Sequence, residues 1–159
     1  MLLIIAYGND LRRDDGAGLR LAEMIEQECR HRRLPVKRIS GHQLLPELSP
    51  EIAREDIEAV LFVDTRAVHT AEVKPIIETH RLALDEASPG LGHQLSPTTL
   101  LLYVYLLYGR QPPAWLVTAP GLDFSHGEEL SPIAQQALHD AGGDIAALLD
   151  EVAGQSIRM

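Results

Sequence analysis

The residues best suited to chemistry are a few carboxylates and imidazoles beside glycine-rich turns. Asp14 and Asp15 are adjacent within GNDLRRDDGAG, residues 8–18, just ahead of a helical pattern. Asp64 closes EAVLFVD, residues 58–64, a run of mostly apolar residues. His93 lies within PGLGHQL, residues 89–95, shortly before another helical pattern, and His42 within GHQLLPEL, residues 41–48. Ligands of an open α/β sheet gather beyond the carboxyl ends of its strands. Two carboxylates and an imidazole meeting there would form an oxygen-rich, one-nitrogen site for a divalent first-row metal. The same carboxylates could instead act as general bases.

Each residue also has a plainer role. A carboxylate at a helix start caps the helix and is favoured by its dipole, so Asp14 or Asp15 is expected to cap. An Asp after a strand forms turns, and a His in a glycine-rich loop is structural or solvated. His31, His69, His80, His126 and His139 belong to no pattern and are expected at the surface. Cys29 falls on the apolar stripe of a helix, where a buried structural thiol is expected. The chain has no GxSxG elbow, HExxH helix, CxxC pair, Walker A loop or full GxGxxG. Ordinary serine, cysteine and zinc-helix hydrolase mechanisms therefore lack their parts.

The elements that must position these groups follow from hydrophobic period. Leu2–Tyr7 is a continuous apolar run ended by Gly8-Asn9, as in a strand covered on both faces. From Ala17 the period becomes helical, with Leu21, Met24, Ile25 and Cys29 on one stripe and Glu23, Glu26, Glu28 and Arg30 turned away. Pro35–Ser40 reads as a second strand, 46–54 as a short helix and Glu58–Asp64 as a third strand. Val73–Thr79 reads as a fourth strand. The connection to it is too short for a parallel crossover, so it is expected beside the third strand and antiparallel to it, with Pro75 marking an edge. Ser96-Pro97 and Ser131-Pro132 each put an N-cap serine before a first-turn proline, predicting helices over 97–109 and 132–151. Ala114–Thr118 lies between them as a fifth strand. This order predicts an α/β fold: a three-layer αβα sandwich around a mostly parallel five-stranded sheet with one antiparallel edge strand.

Composition narrows the field. The chain has 159 residues, 45% of them apolar, which suits one domain over residues 1–159. Fourteen Lys plus Arg against 23 Asp plus Glu leave a net charge of -9, and only 4% of residues are aromatic. That opposes binding to nucleic acid or to an anionic membrane face. The longest apolar run, Leu100–Tyr108, falls well short of the ~20 residues a membrane span needs. One cysteine and an amino end without a basic leader fit a cytoplasmic protein.

The segment GNDLRRDDGAG resembles the GNxLxxDDGxG motif of the hydrogenase maturation proteases. Further along, VLFVDTRAV is similar to the strand of that family that ends in an Asp. GHQLSPTTLL is similar to its His before a helix, and WLVTAPGLDFSHGEELSP to its closing strand, loop and helix start. The four segments run in the family's order over nearly the whole chain. The resemblance implies an aspartyl-type endopeptidase that removes the carboxy-terminal extension of a nickel-iron hydrogenase large-subunit precursor after nickel insertion. It implies Asp15, Asp64 and His93 as metal ligands and catalytic groups, with nickel supplied by the precursor. Family members often carry Glu where this chain has Asp15, so the carboxylate here is one methylene shorter.

His42 is expected to contact the substrate tail or to add a ligand, and loops 41–47 and 120–128 to bind that tail. The resemblance further implies a monomer whose partner is the precursor. A non-catalytic reading remains open on the same residues: a nickel-sensing chaperone or checkpoint that binds the large subunit without cutting it.

Overall fold

The computed structural model describes residues 1–84 and 95–157. In chain order the elements are β1 (Leu2–Tyr7), α1 (Ala17–His31), β2 (Val36–Gly41), α2 (Ser49–Ile52), β3 (Ala59–Ala67), β4 (Glu78–Arg81), α3 (Pro97–Tyr108), β5 (Ala114–Gly121), α4 (Pro132–His139) and α5 (Gly142–Ile157). Short 3-10 turns precede α1, at Arg13–Gly16, and α2, at Pro46–Leu48. The strands form one sheet in the order β2-β1-β3-β5-β4. Every neighbouring pair is parallel except β4 with β5.

The period of two along each central strand divides the core into two layers. Leu2, Ile4 and Ala6 of β1, with Leu61 and Val63 of β3 and Trp115 and Val117 of β5, join Leu21, Ile25 and Cys29 of α1 and the apolar faces of α4 and α5. Leu3 and Ile5, with Val60 and Phe62, face the other way and join Ile52 of α2 and Leu100, Leu101 and Val104 of α3. The middle strands bury both faces, which is why they read as unbroken apolar runs. The fold is the expected three-layer α/β sandwich, and Cys29 lies buried in it, its thiol pushed up to about 11 chiefly by burial.

Both predicted serine caps are present. Ser96 Oγ accepts from the Thr99 N–H at 3.2 Å, and Ser131 Oγ from the Ala134 N–H at 3.5 Å. Helix α3 ends where Gly109 turns left-handed at φ 69°, a conformation glycine adopts without strain.

Three expectations about the elements are corrected. The fourth strand is antiparallel and at the edge, but it pairs with β5, not β3, and starts at Glu78, not Val73. Residues 68–77 only have to pass over the end of β5, roughly 10 Å at two strand spacings, and ten residues cover that with ease. Pro75, which has no N–H for a ladder, stays in the connection. The single helix expected over 132–151 is two helices. Asp140 leaves helical geometry at φ -96° and ψ 8°, shortly before Gly142-Gly143, where two weak helix formers in succession favour a break. The break lets Ala134 and Leu138 of α4 and Ile145 and Leu149 of α5 reach the same core. The predicted helix over 46–54 is also shorter, being the 3-10 turn followed by the single turn of α2.

Among the described residues, no helix is long and apolar enough to cross a membrane.

Candidate active site

From β1 the chain goes by way of α1 to β2 on one side, and then returns to β3 on the other. The carboxyl ends of β1 and β3 therefore flank the switch point, where open α/β sheets form their ligand crevice. A cleft lies there. Its walls include Asn9, Arg12 and Asp15 from the loop after β1, His42 to Pro46 after β2, Asp64 and Thr65 on β3, Ser96, Thr99 and Tyr103 at the start of α3, and Phe124 after β5.

Alternation along β3 aims two consecutive residues in opposite directions. Asp64 shares the face of Val60 and Phe62, toward α3, whereas Thr65 points at α1. There Thr65 Oγ1 accepts from the Gly18 N–H at 2.9 Å and donates to the Asp15 carbonyl at 3.5 Å. A strand hydroxyl thus caps an N–H in the first turn of α1. The expected capping by Asp14 or Asp15 does not occur, because no side chain caps α1 from its N-cap position, which Gly16 occupies. The approach of α1 to β3 is close enough to require glycine: a Cβ on Gly18 would lie 2.6 Å from the Asp64 carbonyl carbon and 2.8 Å from its Cα.

The adjacent aspartates have separate environments. Asp14 is fully buried and holds the loop after β5. Its Oδ2 accepts from the Leu122 N–H at 2.7 Å and the Asp123 N–H at 3.0 Å, and its Oδ1 from the Ser131 N–H at 2.7 Å. The Ser131 hydroxyl also donates to Oδ2. With four donors satisfied, Asp14 is a structural tie between the loop after β1 and the start of α4. Asp15, half-buried, opens onto the cleft, and its Oδ2 accepts from the Asn9 N–H at 2.7 Å. Gly8 permits this turn: its φ is 155°, and a Cβ there would lie 2.3 Å from the Asp15 carbonyl oxygen.

Asp64 is half-buried, and its carboxyl is pushed up to about 6. Burial is the largest cause, and the nearby Asp15 carboxylate adds to it. The Thr65 N–H, donating to Oδ1 at 2.7 Å, and the Tyr7 hydroxyl pull the other way. Tyr7 itself is raised far above the usual phenol range, first by burial and then by the charge of Asp64. The result is a carboxylate oriented by two donors, in partial desolvation, facing a second carboxylate.

Of the four residues expected from sequence, Asp15 and Asp64 share the cleft, and His42 stands exposed on its rim. His93 lies outside the described residues. Among the described residues, no three His, Cys, Asp or Glu side chains gather as a ligand set. The Asp15 and Asp64 pair supplies two oxygen donors, a chemistry that suits a divalent cation. His31, His69, His80, His126 and His139 are all exposed, as expected. Tyr7 and Thr65 were not legible as site residues. Tyr7 ends an apolar strand and reads as core, and only its position next to a turn hinted otherwise.

No protein-family profile matches the chain, and no curated protein matches it. Solved structures do. The chain is similar to the hydrogenase maturating endopeptidase HybD of E. coli, at 23% identity over 94% of this chain and 92% of that one, with a TM-score of 0.67. It is similar to the [NiFe] hydrogenase maturation protease HycI of Thermococcus kodakarensis, at 21% identity over 95% and 90%, TM-score 0.61. It is also similar to a hydrogenase 2 maturation peptidase from a Thaumarchaeota archaeon, at 20% identity over 93% and 97%, TM-score 0.59. At these identities the common property is the fold, which extends over nearly the whole of each chain.

Proposed function

We propose that the chain is a hydrogenase maturation endopeptidase, which removes the carboxy-terminal extension of a nickel-iron hydrogenase large-subunit precursor once nickel has been inserted. The observation that carries this reading is the pairing of Asp15 and Asp64 across the switch-point cleft, on the two motifs that resemble the family. The likeness in fold to named maturation endopeptidases supports it. A single buried cysteine suits a cytoplasmic enzyme, and the proposal takes it to work as a monomer.

In this reading the precursor tail lies along the cleft between His42 to Pro46 and Phe124. Asp15 and Asp64, with His93, engage the nickel already in the precursor, so that only a loaded substrate is seated. Nickel there would polarise the scissile carbonyl or activate a water. Alternatively the carboxylates act directly as general bases: Asp64, oriented by Tyr7 and the Thr65 N–H, would take a proton from the attacking water and return it to the leaving amine. Hydrolysis adds that water's hydroxyl to the carbonyl carbon and breaks the C–N bond. No covalent enzyme intermediate is required.

Intact mass spectrometry of a cognate precursor, with and without nickel, tests this. Loss of a discrete carboxy-terminal fragment only with nickel, absent with Asp64→Asn, is the expected result. A stable complex with no mass change would replace the endopeptidase by the checkpoint reading.

A further inference from the structure

Helix α3 is apolar on all sides. Its twelve residues, PTTLLLYVYLLY, carry no charge, in a chain of net charge -9. An amphipathic helix covering a core needs only one apolar stripe, as α1 shows with its glutamates and arginines turned outward. In α3 the core takes Leu100, Leu101 and Val104. Tyr103, Tyr105, Leu106 and Leu107 remain exposed, the last two at 67% and 70%. Contiguous exposed leucines and tyrosines of this kind mark contact surfaces.

The position of this face identifies its occupant. Thr99, Tyr103, Leu106 and Leu107 follow the spacing that puts residues on one side of a helix. Thr99 and Tyr103 belong to the cleft wall that also holds Asp15 and Asp64. The stripe therefore leaves the cleft at Tyr103 and runs on for about 6 Å along the outside of α3. A substrate tail in the cleft is attached to a folded body that cannot enter it. The body has to rest on the surface bordering the cleft.

Resting on the proposed endopeptidase reading, we infer that the exposed face of α3, centred on Leu106 and Leu107 and continuous through Tyr103 with the cleft, docks an apolar patch on the folded body of the precursor. Recognition is then two-pointed: the tail is read by the cleft and the body by α3.

The test measures binding and cleavage separately. The variant L106E/L107E, with L106A/L107A as a gentler pair, is compared with wild type by melting temperature and by steady-state processing of nickel-loaded precursor. Binding is measured by titration calorimetry in an Asp64→Asn background, so that no product forms. The expected result is unchanged melting, precursor affinity lower by at least about tenfold for the glutamate pair, and kcat at saturating precursor within about twofold of wild type. Affinity within about twofold of wild type, in a folded glutamate variant, overturns the inference. So does wild-type protein that sediments as a dimer while the variant is a monomer of unchanged affinity, since a second copy would then be the occupant. Should wild type neither bind nor cleave the precursor, the endopeptidase reading fails first and the docking inference with it.

Discussion

Replacing Gly18 by alanine tests how the cleft is held together. The added Cβ would meet the carbonyl carbon and Cα of Asp64 at 2.6 and 2.8 Å, where ordinary contact begins at 3.4 Å. Both atoms belong to the backbone of a central strand, so no side chain can move aside. The first turn of α1 must retreat by roughly 0.8 Å to regain normal contact. That movement stretches the 2.9 Å bond from the Gly18 N–H to Thr65 Oγ1 and carries Asp15, three residues upstream, away from Asp64. Overpacking of this kind costs about 1–3 kcal/mol. A misplacement near 1 Å between groups that act together costs about a hundredfold in rate. Denaturant unfolding and the rate of precursor mass loss measure the two effects. Gly154→Ala is the control: nothing lies within 4 Å of its Cβ, within α5, and it should gain about 0.5–1 kcal/mol with unchanged processing. A Gly18→Ala protein as stable and as active as wild type would refute the view that this close approach positions the two carboxylates.

Other consequences concern charge and burial. Because the Asp64 carboxyl sits at about 6 in the folded protein, above its ordinary 3.8, its stabilising contribution is complete below about pH 4 and is lost as pH rises through 6. Metal-free Asp64→Asn should therefore be more stable than wild type above pH 7, by up to about 3 kcal/mol, and equal to it near pH 3; thermal unfolding across that range measures the difference, and a constant offset would contradict the burial argument. Asp14→Asn should cost at least about 3 kcal/mol, since an amide cannot accept from all four donors that the carboxylate satisfies. Asp15→Asn should unfold nearly as wild type yet fail to process precursor, so paired unfolding and mass-loss assays separate the two neighbours. Cys29→Ala should lose about 1 kcal/mol from the core and process at the wild-type rate; a folded but inactive variant would bring thiol chemistry back into consideration.

How much could be read in advance differed by element. The buried strands, the α1 stripe and the two Ser-Pro helix starts are local signals, set by hydrophobic period and by groups a few residues apart, and they appear where expected. β4 is at the edge as expected, although Pro75, the residue that suggested it, lies in the connection; its neighbour was not legible, because a ten-residue connection reaches either side of β5 equally well. The split between α4 and α5 had a local signal in Gly142-Gly143 that the longer helical period masked.

The site divides in the same way. Sequence by itself determined that carboxylates would follow the apolar runs of β1 and β3, and that glycines would crowd the turn after β1; that β3 continues past Asp64 to Ala67, paired with β5, was not legible, because polar residues there gave no strand signal. Only the tertiary structure decided which aspartate does what. Asp14 is drawn inward by donors at Leu122, Asp123 and Ser131, more than a hundred residues away, and Asp15 is left facing the cleft. Tyr7 and Thr65 gained their roles only when β1, β3 and α1 came together, since a hydroxyl at a strand end has no partner until packing provides one. Local sequence encodes period, caps and turns; the partners of a buried polar group depend on segments that meet only in the folded chain.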